Sequence, residues 1–230
     1  MIGIKLGFDA MGRWIKLYLY ALGAPKTLLF NFRYLPWKHA IRLPIFVSHR
    51  VWLRRLSGRV TLSEIKTGAV RIGFDDVGLF DPKSSRTIWM VSGLVEFQGE
   101  AAVCHGSKFV VSGTLSVGRS FFMSSASAIV AQRHVSIGDD VLISWDVLIM
   151  DGDGHRIYDA NGKQRNSPMP VMIGNKVWVG CRTLILKGVH IADGVVVAAA
   201  STVSKSITAS DSIVAGNPAK VVREHVRWEP

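Results

Sequence analysis

Apolar residues recur along this chain with a period of six. Ile173, Val179, Ile185, Ile191, Val197 and Val203 stand six apart, and the fifth position of each unit is again small or β-branched (Val177, Thr183, Val189, Val195, Ser201, Ile207). The intervening positions favour Gly, Asn, Asp and Lys. A period of six fits neither an isolated helix nor a simple alternating strand. A short strand with one inward aliphatic side chain and a tight polar turn cannot bury its apolar side alone, so successive units must stack as a parallel β-helix. Three units make one triangular coil. On this reading Ile173, Ile191 and Ala209 stack, as do Val179, Val197 and Ala215, and Ile185, Val203 and Val221.

Upstream the coil lengthens to twenty residues. Phe97, Val117 and Ile137, then Val103, Met123 and Ile143, then Phe109, Ile129 and Ile149 keep that spacing, which implies a bulged corner in each early coil. The pattern stops after Ile149 for a polar segment, residues 151–170, and resumes in phase at Ile173. Such an insertion reads as a loop thrown out from one corner, where function often resides. The fold class expected is an all-β solenoid over residues 61–222 with an inserted loop at 151–170, an N-terminal segment at 1–60, and a short helix or tail at 223–230. Strand-like pieces begin near Val60. Within the first segment, Trp14, Leu17, Tyr18 and Ala21 predict a helix over Met1 to Leu22, stopped by Gly23 and Pro25.

Charge changes the picture only once it is located. The 230-residue chain carries a net +11, and residues 1–60 hold eleven Lys or Arg against Asp9 alone. Aromatic residues are interleaved with these cations, from Tyr18 and Tyr20 to Trp37 and Trp52. That pattern suits an anionic membrane surface better than nucleic acid; the plainer alternative is a cap on the first coil. No run of eighteen uncharged apolar residues occurs, so no spanning helix is expected. Two cysteines, Cys104 and Cys181, and no visible secretory signal fit a cytoplasmic protein, peripheral at the inner face of the membrane if the basic segment binds lipid.

His155 is the leading candidate for chemistry, because imidazole titrates nearest neutrality and here sits in a Gly/Asp-rich turn at the start of the loop. Asp151 and Asp153 flank it, and either carboxylate could fix the ring tautomer. Calcium at Asp151-Gly152-Asp153-Gly154 is disfavoured because the later ligands of an EF-hand loop are missing.

The runs Ile173-Gly174-Asn175-Lys176-Val177-Trp178-Val179-Gly180, Leu186-Lys187-Gly188-Val189, Ala199-Ala200-Ser201-Thr202-Val203 and Ala215-Gly216-Asn217-Pro218 resemble the hexapeptide-repeat acyltransferases. Within these the chain is most similar to galactoside and maltose O-acetyltransferases and to capsule and O-antigen O-acetyltransferases. The resemblance implies a left-handed coil, against the usual right-handed crossover preference, together with acetyl-CoA as donor, a homotrimer and a sugar or glycan acceptor. It implies His155 as general base. It also places Trp178, Cys181 (through its backbone N–H), Ala199, Ser204, Lys205, Lys220 and Arg223 around the donor. On the acceptor side Ser124 stands where galactoside acetyltransferases carry Asn, and the next coil offers Arg133 and Trp145. No metal is expected: a carbonic-anhydrase-like zinc site on His105, His134 and His190 lacks that family's spacing. Rival functions are N-acetylation of an amino sugar or amino acid, and a non-catalytic glycan-binding or scaffolding β-helix.

Overall fold

The computed structural model describes residues 13–81 and 83–229. The chain visits three sheets in rotation, and each strand pairs in parallel with the strand one coil later. The first face stacks Ile45–Val47, Val70–Ile72, Ala101–Val103, Phe121–Met123, Leu142–Ile143, Trp178–Val179, Val196–Val197 and Ile213–Gly216. The second runs from Trp52–Arg55 to Thr202–Val203, and the third from Arg59–Leu62 to His190–Ile191.

The register follows the sequence period. Phe97 pairs with Val117, Val117 with Ile137 and Ile137 with Ile173 on the third face. Phe109, Ile129, Ile149, Ile185 and Val203 form the equivalent column on the second. All these side chains are buried, and full burial of each contributes about 1.5–3 kcal/mol. The two extra residues of the early coils lie at the corner between the second and third faces, where four-residue strands such as Lys108–Val111 and Thr114–Val117 replace the two-residue strands of later coils. Gly113 is required there, since a Cβ would collide with the backbone of Gln132 and Arg133 one coil on.

At the corner from the third face back to the first, side chains hold one coil to the next. Asp139 Oδ1 accepts from the Arg119 amide at 2.7 Å, Asn175 Oδ1 from the Asp139 amide at 2.9 Å, and Asp193 Oδ1 from the Asn175 amide at 2.7 Å. This ladder explains the recurring Ile-Gly-Asp/Asn motif: the short polar side chain satisfies an amide that the turn leaves unpaired.

Three expectations need correction. The coil starts at Ile45 rather than at residue 61, because Ile45–Val47, Trp52–Arg55 and Arg59–Leu62 already make a complete first coil. The helix α1 spans Arg13–Tyr34 and runs through Pro25. The part of the expected helix at residues 1–12 lies outside the described residues. Burial overrides the proline's local penalty, because Gly23, Thr27, Phe30 and Asn31 beyond the expected stop pack on the first coil. Finally, the last coil is shorter than eighteen residues. Ile191 pairs with Ile207 and Val197 with Val214, while Val221 lies on an antiparallel return strand, Ala219–Arg223, beside Val214. Among the described residues, 223–229 make no helix. Val226 donates to the Asp211 carbonyl, and Trp228 Nε1 to the Lys176 carbonyl at 2.7 Å.

α1 closes the open end of the solenoid. Asn31 Nδ2 donates to the Ile45 carbonyl at 2.6 Å and its Oδ1 accepts from the Ile45 amide at 3.2 Å. Thr27 Oγ1 accepts from the Val47 amide at 2.9 Å. Two side chains thus stand in for a neighbouring strand and block an edge that would otherwise invite pairing.

Candidate active site

The inserted loop leaves the corner between the second and third faces, and Asp151 fixes its root. The Asp151 carboxylate, wholly buried, accepts from the amides of Gln132, Arg133 and His134, each at 2.7 Å. Those three amides form the bulged corner of the preceding coil, so the carboxylate binds the loop to it. The Asp151 carbonyl accepts from the Met169 amide at 2.8 Å, the Met169 carbonyl accepts from Gly188, and an Arg133 guanidinium nitrogen donates to the Pro168 carbonyl at 3.3 Å. Between these ties the loop folds as a small hairpin, with the Arg165 amide donating to Ile157 and the Asp159 amide to Lys163.

Asn166 organises the interior of the loop. Its side chain is buried; Oδ1 accepts from the Ile157 amide at 2.7 Å, and Nδ2 donates to Asp153 Oδ2 at 2.9 Å and to the His155 carbonyl at 2.7 Å. Lys187, one coil further on at the same corner, forms an ion pair with Asp153. The Lys187 ammonium and then the Asn166 amide hold the Asp153 carboxyl below the usual carboxylate range. His155 is exposed, and among the described residues its ring has no hydrogen-bond partner. Within one chain, then, neither flanking carboxylate is bonded to the imidazole: Asp151 serves the loop root and Asp153 serves Lys187 and Asn166. Ser204 and Lys205 follow the second-face strand at this corner too, and the Leu186 amide bonds to Val203 beside them.

A second group of predicted residues lies one face away, at the corner between the first and second faces. Ala126, Asp146, Arg182 and Ala200 stack there in left-handed backbone conformations, with φ between 58° and 62°. The residue before each is Ser125, Trp145, Cys181 and Ala199. Arg182 donates to the Trp145 carbonyl and Ala200 to the Cys181 carbonyl, and Gly180 donates to Val197. Among the described residues the Cys181 amide has no acceptor, and Cys181 and Ala199 leave the corner open beside it. An amide donor with small neighbours on a coil edge is what an extended thioester arm needs: room to lie against backbone, and a fixed dipole for its carbonyl oxygen.

Trp178 borders this corner, half-exposed. Its Nε1 donates to Ser144 Oγ at 3.1 Å, and its ring lies 6.0 Å from that of Trp228. Lys220 and Arg223 are exposed on the return strand. Ser124 differs from its expected acceptor role: it is 3 % exposed, inside the coil, and its hydroxyl has no partner. His105, His134 and His190 are not brought together. His105 lies at the corner between the first and second faces, and the other two lie on the third face two coils apart.

The structure therefore brings Asp151, Asp153, His155, Arg133, Ser204 and Lys205 to one corner, and Trp145, Cys181 and Ala199 to another. Lys187 and Asn166 join the first group, and periodicity gave no sign of either. A face of about six residues, up to about 20 Å of extended backbone, separates the two corners.

No protein-family model matches the chain. It is 32% identical over 134 residues to a polysialic acid O-acetyltransferase of Escherichia coli O1:K1 / APEC, over 58% of this chain and 42% of that protein. It is 35% identical over 119 residues to the galactoside O-acetyltransferase of Escherichia coli strain K12, over 50% and 57% respectively. Over these stretches the chain is similar in sequence to bacterial O-acetyltransferases. A polysialic acid O-acetyltransferase of Neisseria meningitidis is 41% identical over 108 residues, 46% of this chain and 50% of that one. The chain spans about half the length of the curated relatives it matches. Its fold is shared with the crystal structure of the polySia-specific acetyltransferase NeuO, with a TM-score of 0.61 over 80% of each chain at 24% identity.

Proposed function

We propose that this protein is an acetyl-CoA-dependent O-acetyltransferase that modifies a sugar hydroxyl of a bacterial surface glycan or its lipid-linked precursor. The observation that carries the reading is the unpaired Cys181 amide on one coil corner and the braced His155 loop on the other, in a relative of O-acetyltransferases. The coil is left-handed and the working form a homotrimer. A cyclic arrangement sets the His155 corner of one copy against the Cys181 corner of the next, so two half-sites become one. The same reading places the enzyme at the inner face of a membrane, held there by its N-terminal segment.

In that site His155 takes the acceptor hydroxyl proton while the oxygen attacks the thioester carbonyl carbon. The Cys181 amide stabilises the oxyanion, the carbon–sulfur bond breaks, and imidazolium returns the proton to the thiolate. Asp151 and Asp153 act through the loop: the first anchors its root, and the second ties it through Lys187. Trp178 and Ala199 border the donor arm, while Ser204, Lys205, Lys220 and Arg223 supply polar and cationic contacts further along it. Arg133 and Trp145 remain the candidates on the acceptor side, while Ser124, buried inside the coil, does not reach an acceptor.

The test is release of free thiol from acetyl-CoA in the presence of bacterial polysaccharide, followed by mild alkali. The reading requires thiol release that falls ~10²- to 10⁴-fold in His155→Ala, and acetate removable from the glycan by alkali. Acetate that survives alkali would point to N-acetylation. No thiol release with any glycan would leave a binding module.

A further inference from the structure

From Leu17 to Phe32 the outer face of α1 is apolar. Leu17, Tyr18, Leu22, Leu28, Leu29 and Phe32 are between 39% and 62% exposed, and Trp37 and Ile41 just beyond the helix reach 64% and 57%. At 100° per residue the six helical positions fall within an arc of roughly 140°, nearly opposite the Gly23, Thr27, Phe30 and Asn31 face that packs on the coil. A helix lying on a protein in water normally turns a polar face outward; one that is apolar on both sides has a second contact. Contiguous exposed apolar surface of this kind marks an interaction site.

The surrounding charge says what that contact is. Residues 10–63 contain ten Lys or Arg and no Asp or Glu. Arg33 borders the apolar stripe, and Lys38, Arg42, Arg55 and Arg59 are exposed on the segments that follow. Pressing two such surfaces together would set cations against cations with no acid to offset them, which disfavours a second copy of this chain as occupant. An apolar stripe rimmed by cations matches the acyl boundary and head groups of an anionic bilayer. The Asn31 and Thr27 bonds to Ile45 and Val47 hold the helix side-on against the coil, and no helix among the described residues is long and apolar enough to cross a membrane.

We infer that the Leu17–Phe32 face of α1, with Trp37 and Ile41, lies in the plane of an anionic phospholipid surface and docks the open end of the solenoid on it. The inference rests on the peripheral location proposed for the enzyme and needs nothing from the acetyl-transfer reading. The structure adds the contact itself: the helix face and the side chains that enter the interface.

The experiment is co-sedimentation of the full chain with vesicles of phosphatidylglycerol and phosphatidylcholine, compared with phosphatidylcholine alone. Binding is expected only with the anionic lipid at low ionic strength, and its cationic component should be released at 1 M salt, where the Debye length falls to ~3 Å. Leu28→Glu/Leu29→Glu/Phe32→Glu should weaken vesicle binding by ~10-fold or more. The milder Leu29→Gln/Phe32→Gln reports the same loss if the first variant melts early. Lys38→Gln/Arg42→Gln should weaken binding and flatten its salt dependence. Affinity for CoA, read by calorimetry, should stay unchanged in all three, which separates this result from any failure of the catalytic reading. Absence of binding to anionic vesicles at low ionic strength overturns the inference. So does unchanged binding by the stripe variants, or a changed oligomeric state in light scattering with vesicle binding intact.

Discussion

The side-chain amide of Asn166 donates to the main-chain oxygen of His155 at 2.7 Å while also donating to Asp153. One buried residue near the end of the loop thus fixes the backbone of the candidate base near its start. In the proposed site Asn166 acts through its bonds to the loop, as a positioning residue. Asn166→Ala is expected to lower kcat by about 10- to 100-fold through misplacement of the base, with KM for acetyl-CoA unchanged. Asn166→Asp keeps the acceptor for Ile157 but sets a second carboxylate beside Asp153, and it should rescue nothing. Steady-state kinetics of the two variants decide this; a shared change in KM alone would make Asn166 part of donor binding instead.

Asp151 and Asp153, separated by one residue, should behave differently. Asp151→Asn presents an NH₂ group to the corner where three amides need an acceptor, so the fold should lose about 3 kcal/mol, visible as a lower melting temperature. Asp153→Asn is exposed and should melt almost normally. Its effect should appear in turnover, because it releases Lys187 from the loop. Equal melting temperatures for the two variants would contradict the assignment.

Acid should destabilise the protein before its carboxylates titrate. Burial, reinforced by the Arg50 guanidinium, pushes the His105 imidazole below its usual value, and the same two causes act on His49. Nε2 of His105 and Nδ1 of His49 are buried without partners. A histidine lowered in the folded state binds fewer protons there than when unfolded, so its contribution is complete above about pH 6.5 and is lost as pH falls toward the folded value. Melting temperature should therefore drop between pH 7 and pH 5, and His105→Gln should flatten that slope. A slope identical to that of the parent would remove His105 from the account.

On the donor side, Lys205→Ala and Arg223→Ala should raise KM for acetyl-CoA more than they lower kcat, since contacts far from the thioester are alike in ground and transition states. Calorimetry with CoA provides the direct check, and unchanged affinity would exclude the residue concerned.

The coil was legible in the sequence because each inward column is an unbroken run of large apolar residues, and register slips would bury polar neighbours. Phe97, Val117, Ile137 and Ile173 stack as their spacing requires. The first coil was not legible: Val47 and Val60 are buried, but Arg54, Arg55 and Arg59 crowd its strands and hide the period. The course of α1 through Pro25 was hidden as well, because it depends on Thr27 and Asn31 pairing with an edge strand remote in sequence. In the loop, His155 stood out by its chemistry, whereas Asn166 and Lys187 became visible only when the corner brought residues 153, 166 and 187 together. The roles of Asp151 and Ser124 depend on burial, which local spacing does not report.

In the proposed mechanism acetyl transfer needs the His155 corner of one chain and the Cys181 corner of another. Subunit mixing tests it. His155→Ala and Ala199→Trp, the latter filling the donor corner, should each be nearly inactive alone. After unfolding and refolding together, mixed trimers should regain up to about a quarter of parental turnover, since random assembly pairs one intact corner of each kind at that frequency. Mixed oligomers that form and release no more thiol from acetyl-CoA than either variant alone would contradict the account.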